Sequence, residues 1–203
     1  MKINFLGFVL CALLFVSCKE STKDCPPKCE DLSCYSNNNR PDIAITYEEM
    51  AAMFETYDKG AKKVLNAYTK KESKGKDSIS TISNWYKLDD LKQYIAYLEK
   101  ISKEKNIKLT GIKIYPASYP KHYKKKEYAG RQTLIFTPTT TINGRDDVAF
   151  EPLYSEEGNP VSIDVFLNQV RNGKVNEASF LPTLRSQSLE SSAANRGQIN
   201  PPY

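Results

Sequence analysis

The stretch ISTISNWYKLDDLKQYIAYLEKISKEKNIKLTGIKIY, Ile79–Tyr115, decides the fold. Its first part, Ile79–Tyr86, reads as a strand. Asp89 stands where a helix cap belongs, and Leu91, Tyr94, Ile95, Leu98 and Ile101 follow at steps of three and four, which is the spacing of one helical face. Lys103 and Lys105 fall near the C-terminal end of that helix, where positive charge suits the dipole. Asn106 supplies a stop. A second strand is expected over Ile107–Tyr115, with Pro116 ending it. Its apolar phase runs Ile107, Leu109, then Ile112, Ile114, so it slips by one across Thr110-Gly111, as a bulge would require. Strand, helix and strand within about 37 residues form a βαβ-like unit. A right-handed crossover is the expected hand.

Upstream, Thr46 and Glu49 have the spacing of a capping box. Met50, Met53, Phe54, Tyr57, Ala61, Val64, Leu65 and Tyr68 then trace one helical face, interrupted at Gly60. A helix fraying into a loop over residues 70–75 is expected. Downstream, Gln132–Thr137 reads as a strand closed by Pro138. Val148–Tyr154 reads as a short strand that Pro152 confines to an edge. Ile163, Phe166, Leu167 and Val170 predict a short helix after Pro160. These elements predict an α+β domain over residues 42–185: a small mixed sheet containing the βαβ-like unit, packed by two or three helices. Residues 186–203 read as a disordered tail.

The N-terminal region has a different character. Lys2 precedes an almost unbroken apolar run, Phe5–Val16, which stops at Ser17-Cys18 and turns polar at Lys19-Glu20-Ser21. The run is shorter than the roughly 20 residues that span a bilayer, and it fits the apolar region of a secretory signal. Leu14-Phe15-Val16-Ser17-Cys18 resembles the lipobox of bacterial lipoproteins, with Phe15 in place of the usual Leu. That resemblance implies cleavage of a signal peptide, residues 1–17, and attachment of diacylglycerol to Cys18. It implies a protein held by lipid on the outer membrane, facing the periplasm or the cell surface. Lys19-Glu20 resembles a short surface-export signal of some lipoproteins, and reads equally as the start of a solvated tether. Residues 18–41, rich in Lys, Pro, Ser and Asn, read as a flexible tether.

The chain of 203 residues carries 29 basic and 24 acidic residues. Removal of residues 1–17 takes one Lys and no acid, leaving 28 against 24, a net charge of +4. The positives are dispersed and no basic-aromatic motif occurs, so a nucleic-acid role is not expected. The partners expected are the membrane, through the lipid, and an envelope polymer or protein. Of five cysteines, Cys11 would leave with the signal and Cys18 would be lipidated. Cys25, Cys29 and Cys34 remain, an odd set in an oxidising compartment. One disulfide with a free thiol is favoured over a three-thiolate metal site, because zinc usually takes four ligands. No metal and no cofactor are expected.

The densest polar-aromatic cluster is Tyr115, Tyr119, His122, Tyr123, Lys124, Lys125, Lys126 and Tyr128, running from the end of the expected strand into a loop over Tyr119–Gly130. Tyr119, His122, Tyr123 and Lys125 are its candidate binding residues, with aromatic rings to stack and cations to pair. The competing reading is a solvated hairpin whose rings cover a sheet edge. Trp85, the sole tryptophan, is either a sugar platform or a core or edge aromatic. Catalysis finds little support. There is no nucleophile elbow, no phosphate loop and no zinc-protease helix. Asp146-Asp147 and Glu156-Glu157 are acid pairs in loops, and adjacency in sequence does not supply the separation that glycosidases need. No catalytic residue is assigned. A non-enzymatic binding or interaction module is the first reading, an envelope-polymer hydrolase the second, and an accessory or immunity-type protein the third. Asp77-Ser78-Ile79 also resembles a three-residue O-glycosylation motif of Bacteroidetes-like envelope proteins.

The segment Trp85–Thr137 resembles an uncharacterised family of small Bacteroidetes-type lipoproteins, in Tyr86-Lys87-Leu88 leading into the helix Leu91–Ile101, in Gly111-Ile112-Lys113-Ile114-Tyr115 and in Thr133-Leu134-Ile135-Phe136-Thr137-Pro138-Thr139. The resemblance covers about a quarter of the chain and implies no activity.

Overall fold

The protein is an α+β fold in a computed structural model that describes residues 40–172 and 190–200. The chain divides into two compact units, Met1–Ala52 and Met53–Tyr203. In the first, the capping box is realised in both directions. The Thr46 N–H donates to the Glu49 carboxylate at 2.7 Å, and the Glu49 N–H donates to Thr46 Oγ1 at 3.2 Å. These bonds open α1, Tyr47–Lys59. The lipobox, the tether up to residue 39 and all five cysteines lie outside the described residues, as does most of the segment linking α4 to the C-terminal strand.

In the second unit α2 spans Ala61–Glu72, so the expected single helix breaks at Gly60 and runs on through residues 70–72. β1 is Ser83–Trp85, α3 is Leu88–Glu104 and β2 is Gly111–Ser118. β3 is Gln132–Ile142, β4 is Arg145–Ala149, α4 is Ile163–Arg171 and β5 is Gln198–Asn200. The strand–helix–strand order is present, but its two strands never share a sheet. β1 pairs antiparallel with β5, whereas β2, β3 and β4 form a separate antiparallel sheet in that order. The mixed sheet and the crossover are thereby replaced by two antiparallel sheets. The deciding partner of β1 is a segment expected to be disordered. Residues 190–200 instead return to the fold, where Ile199 is fully buried.

Helix α3 follows most of its sequence pattern: Leu98, Ile101 and Ser102 form its buried face, whereas Ile95, expected on that face, is 40% exposed. Asp89 is not its cap. The helix begins at Leu88, with Lys87 at the cap position two residues before the expected one, and places Asp89 and Asp90 in the first turn, where carboxylates suit the positive end of the dipole. The C-terminal end is a Schellman motif. Asn106 takes a φ of 51°, its N–H donates to the Lys103 carbonyl, and the Ile107 N–H donates to the Ser102 carbonyl. The turn delivers Ile107 into the core at 7% exposure.

Both prolines expected to end strands lie inside them. Pro116 sits on β2 opposite Leu134. The Tyr119 N–H bonds the Arg131 carbonyl, and antiparallel alternation then turns the Pro116 nitrogen towards the open sheet edge, where no donor is needed. Pro138 falls where β3 changes partners. Phe136 exchanges both backbone bonds with Ala194, while Thr139 and Thr140 pair with β4. At Thr110-Gly111, where a bulge is expected, Gly111 pairs with Thr139 and the Thr110 N–H also donates to the Thr139 carbonyl, so two residues of one strand face one of the other. A register shift occurs also between Thr140 and Ile142. Asn143 and Gly144, with φ of 52° and 76°, make the two-residue turn into β4, the chemistry a hairpin of this hand demands. Residues 152–154, expected as strand, form a 3-10 turn whose N–H at Leu153 is capped by Glu151.

The core is formed by Leu98, Ile101, Ile107, Ala149, Phe150 and Ile199, with Pro138 and Pro152 also fully buried. Burying each large apolar side chain contributes about 1.5–3 kcal/mol. The Thr-rich strand β3 adds buried hydroxyls that find carbonyls nearby, such as Thr140 Oγ1 on Lys108 at 2.8 Å.

Candidate functional site

The end of β1, the first turn of α3 and the returning C-terminal segment enclose a cleft of about 480 Å³. Its apolar surfaces come from Trp85, Tyr86, Tyr94, Tyr128 and Phe136. Its charged groups are Lys87, Lys125 and Arg196, with Asp90 the one lining carboxylate. Trp85 is 56% exposed. It is held by backbone pairing to Gln198, so its ring is presented by a strand rather than by a free loop. Tyr86 stands edge-on to Phe136 at 4.8 Å and 84°. Burial raises the Tyr86 phenol above its ordinary pKa, and neighbouring Tyr119 adds to this. Gly197 lies against the Tyr86 ring so closely that an added Cβ would come within 2.5 Å of it.

Behind the cleft, Tyr94 fastens the returning segment to the sheet. Its hydroxyl lies 3.1 Å from the Phe136 carbonyl and 3.0 Å from the Ser192 carbonyl, one proton shared between two acceptors. Burial first, then the charge of Glu151, pushes the Tyr94 phenol well above its usual pKa. Glu151, 3% exposed, completes the clasp. One carboxylate oxygen accepts from the Leu153 N–H at 3.2 Å and the other from the Ser192 N–H at 2.9 Å.

The residues singled out from sequence are divided, not gathered into one exposed patch. Tyr119 is buried, at 7% exposure. Its ring contacts Tyr123 at 4.5 Å and Tyr128 at 5.4 Å. Tyr119 and Tyr123 line a second hollow of about 570 Å³, together with Ile135, Ala194, Asn195 and Arg196. Lys125 belongs to the first cleft, with its ammonium 4.9 Å from the centre of the Tyr128 ring. His122 is exposed and lines neither hollow. Trp85 is an exposed aromatic on a strand of the two-stranded sheet, not a core residue. Lys87 and Arg196 were not anticipated. Arg196 lies in the segment read as a tail, and its approach to Trp85 depends on the β1–β5 pairing, for which there is no local signal.

Two acids near the loop are engaged by cations. Glu72 pairs with Lys121, and Asp77 with Arg131, whose side chain is largely buried. The hydrogen bond from Lys121, reinforced by its charge, holds the Glu72 carboxyl below its ordinary pKa. Asp147 is likewise held down, chiefly by its hydrogen bond from Lys113, at 2.8 Å. These shifts oppose the raised pKa that a general acid needs at neutral pH. Ser78 stands exposed beside Asp77. Among the described residues, no group of three or more His, Cys, Asp or Glu side chains could hold a metal ion, and no helix is long and apolar enough to cross a membrane. No protein-family model matches the chain, and neither a curated protein nor a solved structure matches it.

Proposed function

We propose that the protein is a lipid-anchored lipoprotein of the outer membrane whose globular part is a binding module, with the Trp85 cleft as its ligand site. The observation that carries this reading is the exposed Trp85 ring beside Tyr128, Lys125, Lys87 and Arg196. A flat indole favours a cyclic ligand, because the negative face of the ring attracts the weakly positive C–H bonds of a sugar-like ring. Three cations against one carboxylate favour an anionic substituent on that ligand. A hydrolase would need a second acid or an imidazole in the cleft; Asp90 is the one acid lining it, and His122 lies elsewhere.

The anchor and the binding site are tested separately. Cys18→Ala should move the protein from the membrane fraction to the soluble fraction, and mass spectrometry of the wild-type N-terminal peptide should find diacylglycerol on Cys18. An unlipidated peptide beginning elsewhere would refute the anchor. For the site, Trp85 is the sole tryptophan, so its fluorescence reports the cleft directly. Galacturonic acid should change its emission saturably, and galactose should do so far more weakly. Equal or absent responses would reject the cleft as a site for anionic rings.

A further inference from the structure

The two hollows share a wall. Ala194 and Arg196 line both. Tyr123, Tyr119 and Tyr128 form a row of consecutive ring contacts running from the second hollow to the first. Arg196 has neither an ion-pair nor a hydrogen-bond partner among the described residues, although it stands at the junction. An exposed guanidinium left open between two ring-lined hollows is suited to a carboxylate that arrives with the ligand.

Resting on the cleft reading above, we infer that the two hollows are successive subsites for one chain of an acidic polysaccharide, with Arg196 gripping a carboxylate where the chain passes between them. A compact ligand would fill one hollow and leave the other unused. A linear chain of rings meets an aromatic surface in each, on Trp85 and Tyr128 in the first and on Tyr123 in the second. An acidic peptide fits the charge but not the walls. Peptides that lie along a sheet take their affinity from free backbone groups at a strand edge. Between the hollows those groups are already used, since Phe136 and Ala194 bond each other and Trp85 pairs with Gln198. The open edge of β2 borders the second hollow alone, at Ser118, and does not run on into the first.

The test is calorimetry on the full chain in detergent, with galacturonic acid, its linear hexamer, the methyl-esterified hexamer and hexaglutamate as probes. The hexamer should bind at least about tenfold tighter than the monomer, because a second contact surface adds free energy on that scale. Esterification should remove most of that affinity. Tyr123→Ala should pull the hexamer's affinity about tenfold back towards the monomer's. Arg196→Gln, an exposed change that leaves the core intact, should weaken the acidic hexamer about tenfold or more and leave the esterified hexamer almost unaffected. A hexamer no tighter than the monomer would overturn the two-subsite inference and leave the single-cleft reading standing. Hexaglutamate binding as tightly as the hexamer would show attraction by charge alone and overturn the polysaccharide assignment. Silence of monomer and hexamer alike would remove the cleft reading too.

Discussion

Tyr94 joins three parts of the second unit through one hydroxyl: helix α3, strand β3 and the returning segment. Because burial raises its folded pKa above the ordinary 10.0, the neutral phenol is the form the fold prefers. Its contribution is complete below pH 10 and is lost as the pH rises through the higher folded value. The protein should therefore lose stability progressively above pH 10. Tyr94→Phe should cost about 1 kcal/mol at pH 7 and should flatten that alkaline loss. Denaturant melts followed by circular dichroism from pH 7 to 12 check both outcomes. Glu151 works beside it through acceptance rather than donation. Glu151→Ala would leave the buried Ser192 N–H without a partner and should cost about 1–3 kcal/mol in the same melts. Neither role was legible in sequence, because an isolated Tyr or Glu shows nothing of carbonyls and amides that lie far along the chain.

Helix α3 shows how far local pattern reaches. Its apolar spacing predicted Leu98 and Ile101 on the face that packs, and Asn106 predicted its end, because both follow from geometry within a few residues. Asn106→Ala should cost about 1 kcal/mol, since the left-handed turn at φ 51° disfavours a β-carbon; thermal unfolding would register the loss. The strands were less legible for a physical reason. Proline removes one donor, and whether that matters depends on what lies on that side of the strand. At Pro116 it faces an open edge, and at Pro138 it falls where β3 passes from Ala194 to β4, so neither proline stops its strand. The Asn143-Gly144 turn carried a readable hairpin signal. The pairing of β1 with β5 carried none, so Lys87 and Arg196 could not be placed beside Trp85 from sequence. Gly197 tests that pairing. Gly197→Ala would drive a methyl into the Tyr86 ring and should displace the strand that presents Trp85. Its fluorescence should shift to the red in the folded protein, whereas an unchanged spectrum would show that the cleft tolerates the methyl.

Across the whole second unit, the core is small and depends on residues far apart in the chain: Leu98 on α3, Phe150 after β4 and Ile199 on β5 are each fully buried. Leu98→Ala should cost about 2–5 kcal/mol, measurable as a lower urea midpoint. The antiparallel pairing of Ser83 with Asn200 has a consequence in time. Contacts between residues so distant must overcome a large loop-closure entropy before they are rewarded, and topologies built on them fold slowly. The β3–β4 hairpin closes over the two residues Asn143-Gly144 and can form early. The β1–β5 ladder, and the cleft wall it carries, should be the last to arrive. In stopped-flow refolding, the far-ultraviolet signal should precede the final Trp85 emission, and a ligand held by that wall should slow unfolding more than it speeds folding.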